Sequence, residues 1–305
     1  MNFVLTLIAD PAGRKLSDTM VEHARALLGG FGAESGDVDW LAPQLACDIP
    51  FTPRHPENAA MRAMESALRG HLRARQVDVA AQPIEGRRKK LLVSDMESTI
   101  IRNEMVDELA DLLGIKEKVA DITRRAMNGE ISFRPALEER VALLGGLEEE
   151  ALIGARERIE FNPGAKILVA TMKKFGARTA LVSGGFSVFT RWVAERAGFD
   201  ANHSNELIIE QGIVTGKVKQ PVLGKEAKLA SMRAHAAEMN CTSREAIAAG
   251  DGANDLDMLL EAGTGVAYRA KPKVADAARF RIDHGDLTAL LYLQGYRWVD
   301  FVNAD

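Results

Sequence analysis

The stretch LLVSDMESTII, residues 91–101, decides the fold of this 305-residue chain. Its first four residues form a short apolar run, which predicts a buried strand that ends at Asp95. Beyond it, strand patterns at 177–183, 246–249 and 265–268 alternate with helical patterns. The helices are predicted over 104–114, 164–176, 186–198, 225–240 and 254–262. This alternation indicates an α/β fold, in which helices cover both faces of a mostly parallel sheet.

Two stretches interrupt the alternation. Residues 115–160 are charged and mostly helical, without strand patterns, and we interpret them as the body of a helical cap inserted at about 103–162. Residues 206–218, ELIIEQGIVTGKV, predict a β-hairpin that turns at Gln211-Gly212.

The first 82 residues follow a different pattern. Apolar runs and helical spacings succeed one another in the order β-α-β-β-α-β, which is typical of a small ferredoxin-like α+β domain. The next residues, 83–90, hold Pro83, Gly86 and four consecutive cations, and we interpret them as a solvated linker rather than a nucleic-acid patch. We therefore expect an N-terminal domain at 1–82, a linker at 83–90 and a core at 91–305.

Composition excludes several classes of protein. The hydrophobic fraction of 47% is that of an ordinary globular chain, and the net charge of −4 argues against nucleic acid as the main partner. Two distant cysteines, Cys47 and Cys241, exclude a disulfide framework and a cysteine-rich zinc site. No apolar run approaches the roughly 20 residues that a membrane span needs. We expect a cytoplasmic protein.

Chemically active side chains follow three of the predicted strands. The first strand ends in Asp95-Met96-Glu97, the second in Ser183-Gly184-Gly185 and a later one in the stretch GDGAND at 250–255. A further candidate, Lys225, opens a helix after Gly224. Because the carboxyl ends of parallel strands meet at one edge of a sheet, these groups are expected to lie together.

Such a cluster suits phosphoryl transfer. Asp95 and Asp251 are hard oxygen ligands, which favour Mg²⁺. A carboxylate can attack phosphorus, and a second acid two residues further on can protonate the leaving oxygen. A serine hydroxyl, backbone N–H groups and a lysine can hold the phosphate oxygens.

Six segments carry a resemblance to a known family. They are DMESTIIRNEMVDELADLLG (95–114), MNGEISFRPALEERVALL (127–144), SGGF (183–186), GK (224–225), GDGANDLDML (250–259) and AYRAKPKV (267–274). In sequence and order they resemble the haloacid dehalogenase (HAD) phosphatase superfamily, with its Rossmannoid sheet and helical cap, and within it the phosphoserine phosphatases. The resemblance covers about 90–295. Residues 1–82 resemble, by pattern alone, the ACT-like extension of longer bacterial members.

The resemblance implies roles for individual residues. Asp95 matches the nucleophile and a Mg²⁺ ligand, Glu97 matches the general acid/base whose backbone carbonyl also faces the metal, and Asp251 matches the remaining ligand. Asp255 matches a carboxylate that supports the metal or the lysine. The implied substrate contacts are Ser183, Gly184, Lys225 and Asn254 for the phosphate, Glu104 for an ammonium, Arg140 for a carboxylate, and Phe133 as a cap residue that closes over them.

The implied reaction is Mg²⁺-dependent hydrolysis of O-phospho-L-serine through an aspartyl-phosphate, the last step of serine biosynthesis. Glu97 departs from the family, which usually has Asp there, and its extra methylene lengthens the reach to the leaving oxygen. Two alternatives stay open: a phosphatase for another small phosphomonoester, such as a sugar or homoserine phosphate, and a catalytically weak amino-acid-sensing protein. Whether residues 1–82 bind serine, form a homodimer or do neither is also open.

Overall fold

The computed structural model describes residues 1–127 and 130–303. Residues 128–129, part of the motif at 127–144, lie outside the described residues. No helix in the described ranges is long and apolar enough to cross a membrane.

The N-terminal residues build a small antiparallel sheet with two helices, in the expected β-α-β-β-α-β order with one additional short strand, β2. The elements are β1 (Phe3–Ala9), α1 (Asp18–Gly30), β2 (Glu34–Ser35), β3 (Asp39–Ala42), β4 (Ala46–Thr52), α2 (Asn58–Leu72) and β5 (Val77–Pro83). The strands run in the order β2-β4-β1-β5, and β3 pairs with β4. Strand β2 was not predicted, because two residues are too few to show a period.

The rest of the chain forms the expected α/β fold around a parallel sheet. The strands are β6 (Leu91–Ser94), β7 (Arg178–Phe186), β8 (Ala201–Asn205), β11 (Ala246–Gly250), β12 (Thr264–Tyr268) and β13 (Phe280–Ile282). In the described part of the chain this sheet has six strands, in the order β13-β12-β11-β6-β7-β8. Strand β6 pairs with β11 on one side and β7 on the other, both in parallel register. The three strands that carry the sequence motifs are therefore neighbours at its centre.

Helices cover this sheet and extend from it as a cap. They are α3 (Met105–Leu112), α4 (Lys116–Met127), α5 (Phe133–Ala142), α6 (Glu149–Ala155), α7 (Ala165–Lys174), α8 (Ser187–Ala197), α9 (Lys225–Glu238), α10 (Leu256–Glu261), α11 (Pro272–Ala277) and α12 (Ala289–Leu293). The first four lie between β6 and α7, where the helical insertion was expected. Strand β8 and everything after β12 carried no prediction, because the polar sequence ANHSN and the short C-terminal elements show no clear period.

The predicted hairpin, β9 (Leu207–Glu210) and β10 (Ile213–Val218), packs against the cap. The N–H of Gly146 donates to the carbonyl of Val214 at 2.9 Å, and the N–H of Val214 donates to that of Leu147 at 2.8 Å. Near this junction a Cβ on Gly216, whose φ is +75°, would lie 3.3 Å from the Cα of Gly145. Glycine permits this close approach of two backbones, which joins hairpin and cap.

The N-terminal sheet has one apolar face and one face that carries both polar and apolar side chains. Alternation along β1 and β5 directs Leu5, Leu7 and Val79 towards α1 and α2. The opposite face holds buried polar side chains and meets the C-terminal part of the chain. There the carboxylate of Asp78 accepts the N–H groups of Asp283 at 2.8 Å and Gly285 at 2.7 Å. Burial raises the pKa of Asp78, and these N–H groups act against that rise.

In the interpreted linker at 83–90, the cations Arg88 and Lys90 are exposed, whereas Arg87 and Lys89 are half-buried. Arg87, whose side chain is 16% exposed, pairs with Asp48 at 2.6 Å. The guanidinium of Arg88 lies 3.9 Å from the ring centre of Tyr296, and Lys89 donates to the carbonyl of Arg244 at 2.9 Å. These cations act as hydrogen-bond donors within the protein. Arg87 pairs with a buried carboxylate and Lys89 with a backbone carbonyl, and such groups are costly to bury without a donor.

Substitution of Asp78 tests the strength of this contact. Asp78→Ala leaves buried N–H groups at 283–285 without their acceptor, and we expect a loss of about 3 kcal/mol in the free energy of unfolding. Asp276→Ala, at a side chain that is 78% exposed, should change it by less than about 0.5 kcal/mol. Urea denaturation followed by circular dichroism measures both, and equal losses would contradict the assigned role.

Candidate active site

The ends of the three central strands deliver the catalytic candidates to one edge of the sheet, as the sequence predicted. Asp95 follows β6, Ser183 lies near the end of β7, and Asp251 follows β11. The register of β6 against its two neighbours sets these ends side by side. The functional groups are thus held by the most buried part of the sheet, which makes their spacing rigid.

The chain leaves β6 through a wide, irregular turn over Met96–Ile100. The N–H of Ile101 closes this turn on the carbonyl of Met96 at 3.0 Å, and Ser98 adopts a left-handed φ of +55°. Asp95 and Glu97 keep extended backbones, and Asp95 Oδ1 accepts the N–H of Met96 at 2.8 Å. Such wide turns are frequent at functional sites, and this one turns the chain from the strand into the cap.

Three carboxylates converge at this edge. One carboxylate oxygen from each of Asp95, Asp251 and Asp255 lies within 4.8 Å of the corresponding oxygens of the other two. Burial, and then the charge of Asp255, raise the pKa of Asp95 well above its usual value. The same two causes raise the pKa of Asp251 to about 6. Because clustered carboxylates repel one another and offer hard oxygen ligands, this donor set fits a divalent metal ion.

A buried lysine is inserted into this cluster. Lys228 is 3% exposed, and its Nζ lies 2.8 Å from Asp95 Oδ1 and 2.6 Å from Asp255 Oδ1. Burial alone would lower the pKa of Lys228, but Asp95 and Asp255 raise it above its ordinary value. The ammonium is therefore charged, and it lies beside the carboxylate that the sequence identified as the nucleophile.

The assignment of Lys225 as the phosphate-binding cation is wrong. Lys225 is the first residue of α9, its side chain is 60% exposed, and its Nζ lies 3.9 Å from Asp257. Lys228 lies one helical turn further on, with Met232 and His235 on the buried stripe of α9. A lysine at an otherwise buried position of an amphipathic helix was the signal that could have identified it.

Asp255 is the fully buried member of the cluster, and both of its oxygens are bonded. Its Oδ1 holds Lys228, and its Oδ2 accepts the N–H of Gly252 at 3.0 Å. The carboxylate occupies the space that any side chain on Gly250 would need. Asn254 lies in the same loop, with its side-chain oxygen against Gly252. Asp255 therefore requires glycine at 250 and Asn254 requires it at 252, while Asp255 fixes both the loop and the lysine.

The glycine-rich turn at the end of β7 faces the cluster. The N–H of Gly185 donates to the buried Oγ of Ser183 at 2.9 Å. A Cβ on Gly185 would lie 3.0 Å from Glu97 Oε2 and 3.1 Å from Ser183 Oγ. These two oxygens flank the turn, and glycine leaves the room for them.

Glu97 bridges the core and the cap. Its Oε1 accepts the N–H of Met105, the first residue of α3, at 2.8 Å. Burial, and then the charge of Glu104, raise the pKa of Glu97 to about 7, while Met105 and the positive charges of Lys228 and Arg140 oppose the rise. A carboxyl group with a pKa near neutrality can both donate and accept a proton.

The cap brings its expected residues to the same place. Glu104 precedes α3 and accepts the hydroxyl of Ser98 at 2.7 Å. A Cβ on Gly184 would lie 3.7 Å from Cζ of Phe133, so the ring of Phe133 faces the glycine-rich turn. Arg140 on α5 is near enough to lower the pKa of Glu97. Apart from Lys225, the residues that the sequence singled out surround one cleft between core and cap.

Known proteins share this architecture. Residues 92–260 match the haloacid dehalogenase-like hydrolase family. A phosphoserine phosphatase of Streptomyces coelicolor is 38% identical over 286 residues, 92% of this chain and 69% of that protein. One of Albidiferax ferrireducens is 46% identical over 210 residues, 67% of this chain and 89% of that protein. A solved HAD family hydrolase of Salmonella enterica serovar Typhi covers 95% of this chain and 98% of its own, with a TM-score of 0.83 and 27% identity.

An acidic cluster lies beside a glycine-rich turn, at the carboxyl edge of a parallel sheet with a helical cap. This arrangement defines a hydrolase of the HAD type. The chain belongs to the haloacid dehalogenase-like hydrolase family and, within it, to the phosphoserine phosphatases. Proteins of this family use a metal ion, and the cluster of Asp95, Asp251 and Asp255 can hold one.

The two lysines of α9 give a paired test. Lys228→Met removes the charge between Asp95 and Asp255, and we expect phosphatase activity to fall by at least about 100-fold. Lys225→Met removes an exposed charge and should change the activity by less than about twofold. Phosphate release measures both, with circular dichroism to verify folding. The assignment of Lys228 is refuted if Lys225→Met is the variant that loses activity.

Proposed function

We propose that this protein hydrolyses O-phospho-L-serine to L-serine and phosphate. The observation that carries the proposal is the division of charge across the cleft. The core side offers Lys228, Ser183 and backbone N–H groups to a phosphate, whereas the cap side offers Glu104 and Arg140, one charge of each sign. Phosphoserine carries a phosphate, an ammonium and a carboxylate, so its charges match both sides.

Mg²⁺ is the proposed metal. Asp95, Asp251 and the backbone carbonyl of Glu97 would hold it, and Asp255 supports the arrangement through Lys228. When bound, Mg²⁺ offsets the repulsion between the carboxylates and the charge of the phosphate. The oxygen donors of this cluster fit a hard cation of this kind.

In the first chemical step Asp95 attacks the phosphorus atom. The hydrogen bond and the ion pair described for Asp95 both use Oδ1, and we propose Oδ2 as the attacking atom. As the new O–P bond forms, the bond between phosphorus and the serine oxygen breaks, and Glu97 gives its proton to that oxygen. Lys228 and the hydroxyl of Ser183 hold the remaining phosphate oxygens through this transfer.

In the second step the aspartyl-phosphate is hydrolysed. Glu97, now ionised, takes a proton from water, the water oxygen attacks phosphorus, and the bond to Asp95 breaks. Both steps need Glu97 to change its protonation state, and a pKa of about 7 suits this alternation. Its hydrogen bond to Met105 at the start of α3 orients the longer glutamate side chain for this task.

The cap would select the substrate. The planar guanidinium of Arg140 can bind both oxygens of a carboxylate, and Glu104 can accept an ammonium. Phe133, which faces Gly184, closes the cleft over the reacting phosphate. Closure would exclude water while the first step takes place.

The division of the chain is also a proposal. The separate sheets support a division into an ACT-like domain at 1–82, a junction at 83–90 and a phosphatase core at 91–305 with its cap at about 103–162. Light scattering distinguishes a homodimer from a monomer, and calorimetric titration with serine tests binding to the N-terminal residues.

The nucleophile and the metal are tested together. Wild-type protein with Mg²⁺ should release phosphate from O-phospho-L-serine, and chelation with EDTA should abolish the release until Mg²⁺ is restored. Asp95→Asn should lower kcat by at least about 1,000-fold, because the amide is a poor nucleophile. Absence of phosphate release by the wild-type protein, or full activity of Asp95→Asn, would contradict the proposal.

The substrate class is tested through the cap. Arg140→Ala should lower kcat/KM for O-phospho-L-serine by about 100-fold, while a phosphomonoester without a carboxylate should be hydrolysed at a rate within about twofold of wild type. A panel of L- and D-phosphoserine, homoserine phosphate and sugar phosphates measures this preference. A preference that is unchanged in Arg140→Ala would instead favour the reading as a phosphatase for another small phosphomonoester.

A further inference from the structure

Asn205, the last residue of β8, is a buried polar residue that contacts the glycine-rich turn from behind. It is 2% exposed, and its Nδ2 donates to the carbonyl of Gly184 at 2.8 Å. Its Oδ1 accepts the N–H of Leu223 at 2.8 Å. One carboxamide therefore joins the glycine-rich turn at the end of β7 to the segment that leads into α9.

The bond to Gly184 determines where the next N–H points. Since a peptide unit is planar and trans, fixing the carbonyl of Gly184 aims the N–H of Gly185 the opposite way. That N–H donates to Ser183 Oγ at 2.9 Å. A serine hydroxyl has one proton and two lone pairs, so a donor on one lone pair leaves the O–H proton free for a phosphate oxygen. The chain of bonds thus runs from Asn205 to the hydroxyl of Ser183.

The bond to Leu223 acts on the other side of the cleft. Leu223 comes directly before Gly224, which precedes the first residue of α9. Lys228 extends from the first turns of that helix into the acidic cluster. Holding Leu223 therefore holds the start of the helix that positions the ammonium.

Asn205 also closes the base of the β9–β10 hairpin, which begins just after it and returns to the core before Leu223. The far end of that hairpin is bonded to the cap through Gly146 and Leu147. The same carboxamide consequently lies where the hairpin, the glycine-rich turn and the start of α9 meet.

We propose that Asn205 is a positioning residue for phosphate binding, which aims the hydroxyl of Ser183 and places Lys228 without touching the substrate. This inference rests on the proposed phosphatase function, since it assigns the phosphate to the turn at 183–185 and to Lys228. Asparagine suits the position because it supplies a donor and an acceptor from one neutral side chain.

Two substitutions separate these bonds. Asn205→Asp keeps an acceptor for the N–H of Leu223 but loses the donor to Gly184, and Asn205→Ala loses both without adding a charge. Gln294→Ala is the matched control, because Gln294 is also a buried carboxamide that bonds backbone groups, at Leu290 and Lys89, away from the cleft.

The probe is inorganic phosphate with Mg²⁺, titrated calorimetrically into each full-length protein, with thermal unfolding and steady-state kinetics measured in parallel. We expect the Kd for phosphate to rise about tenfold or more in both Asn205 variants, with a matching fall in kcat/KM. Gln294→Ala should lower Tm and leave the Kd for phosphate within about twofold of wild type.

Three outcomes overturn the inference. The first is a Kd for phosphate in Asn205→Ala that equals the wild-type value, whatever the loss in Tm. The second is weakening in Asn205→Asp alone, which a new negative charge would explain. The third is equal weakening in Gln294→Ala, which would mark a general effect of instability. Failure of the proposed function itself would look different: the wild-type protein would release no phosphate from phosphoserine, whereas the comparison of phosphate affinities would still be measurable.

Discussion

The ion pair network of Lys228 with Asp95 and Asp255 is the interaction on which the site depends. A buried ammonium without partners would lose its proton, and clustered carboxylates without a cation would take protons up. Burial and the charge of Asp255 raise the pKa of Asp95, Lys228 acts against that rise, and the two carboxylates in turn keep Lys228 charged. A metal ion completes the compensation, because one lysine balances only part of the negative charge. Stability of the folded site and competence for phosphoryl transfer therefore have the same electrostatic origin.

The backbone around this network is shaped by its side chains. Gly250 leaves room for Asp255, and Gly185 leaves room for Glu97 and Ser183. The wide turn after Asp95 sends the chain into the cap, so that Glu97 can reach the start of α3 while Asp95 stays at the edge of the sheet. Asn205 links the glycine-rich turn to the start of the helix that carries Lys228. These contacts fix the elements relative to one another. Side chains from distant parts of the chain therefore meet within hydrogen-bond distance.

The N-terminal unit is joined to the core through polar rather than purely apolar contacts. Asp78 binds backbone N–H groups of 283–285, and Asp48 binds Arg87 at the junction. Such groups are costly to bury unless paired, so they favour one relative orientation of the two sheets over others that would leave them unsatisfied. Among the cations at 87–90, Arg87 serves this contact, while Arg88, Lys89 and Lys90 bond to the C-terminal part of the chain.

The sequence by itself determined the α/β fold, the helical insertion, the N-terminal β-α-β-β-α-β order and the strand ends that carry Asp95, Ser183 and Asp251. These follow from local periods and from the rule that parallel strands present their carboxyl ends at one edge. Only the tertiary structure decided that Lys228 rather than Lys225 enters the cluster, that Asn205 bonds the glycine-rich turn, and that Arg87 pairs with the buried Asp48. The reason is physical: these choices depend on pairings between residues far apart in sequence, and such pairings leave no local period. The buried stripe of α9 marks the position of Lys228 but not its partners Asp95 and Asp255.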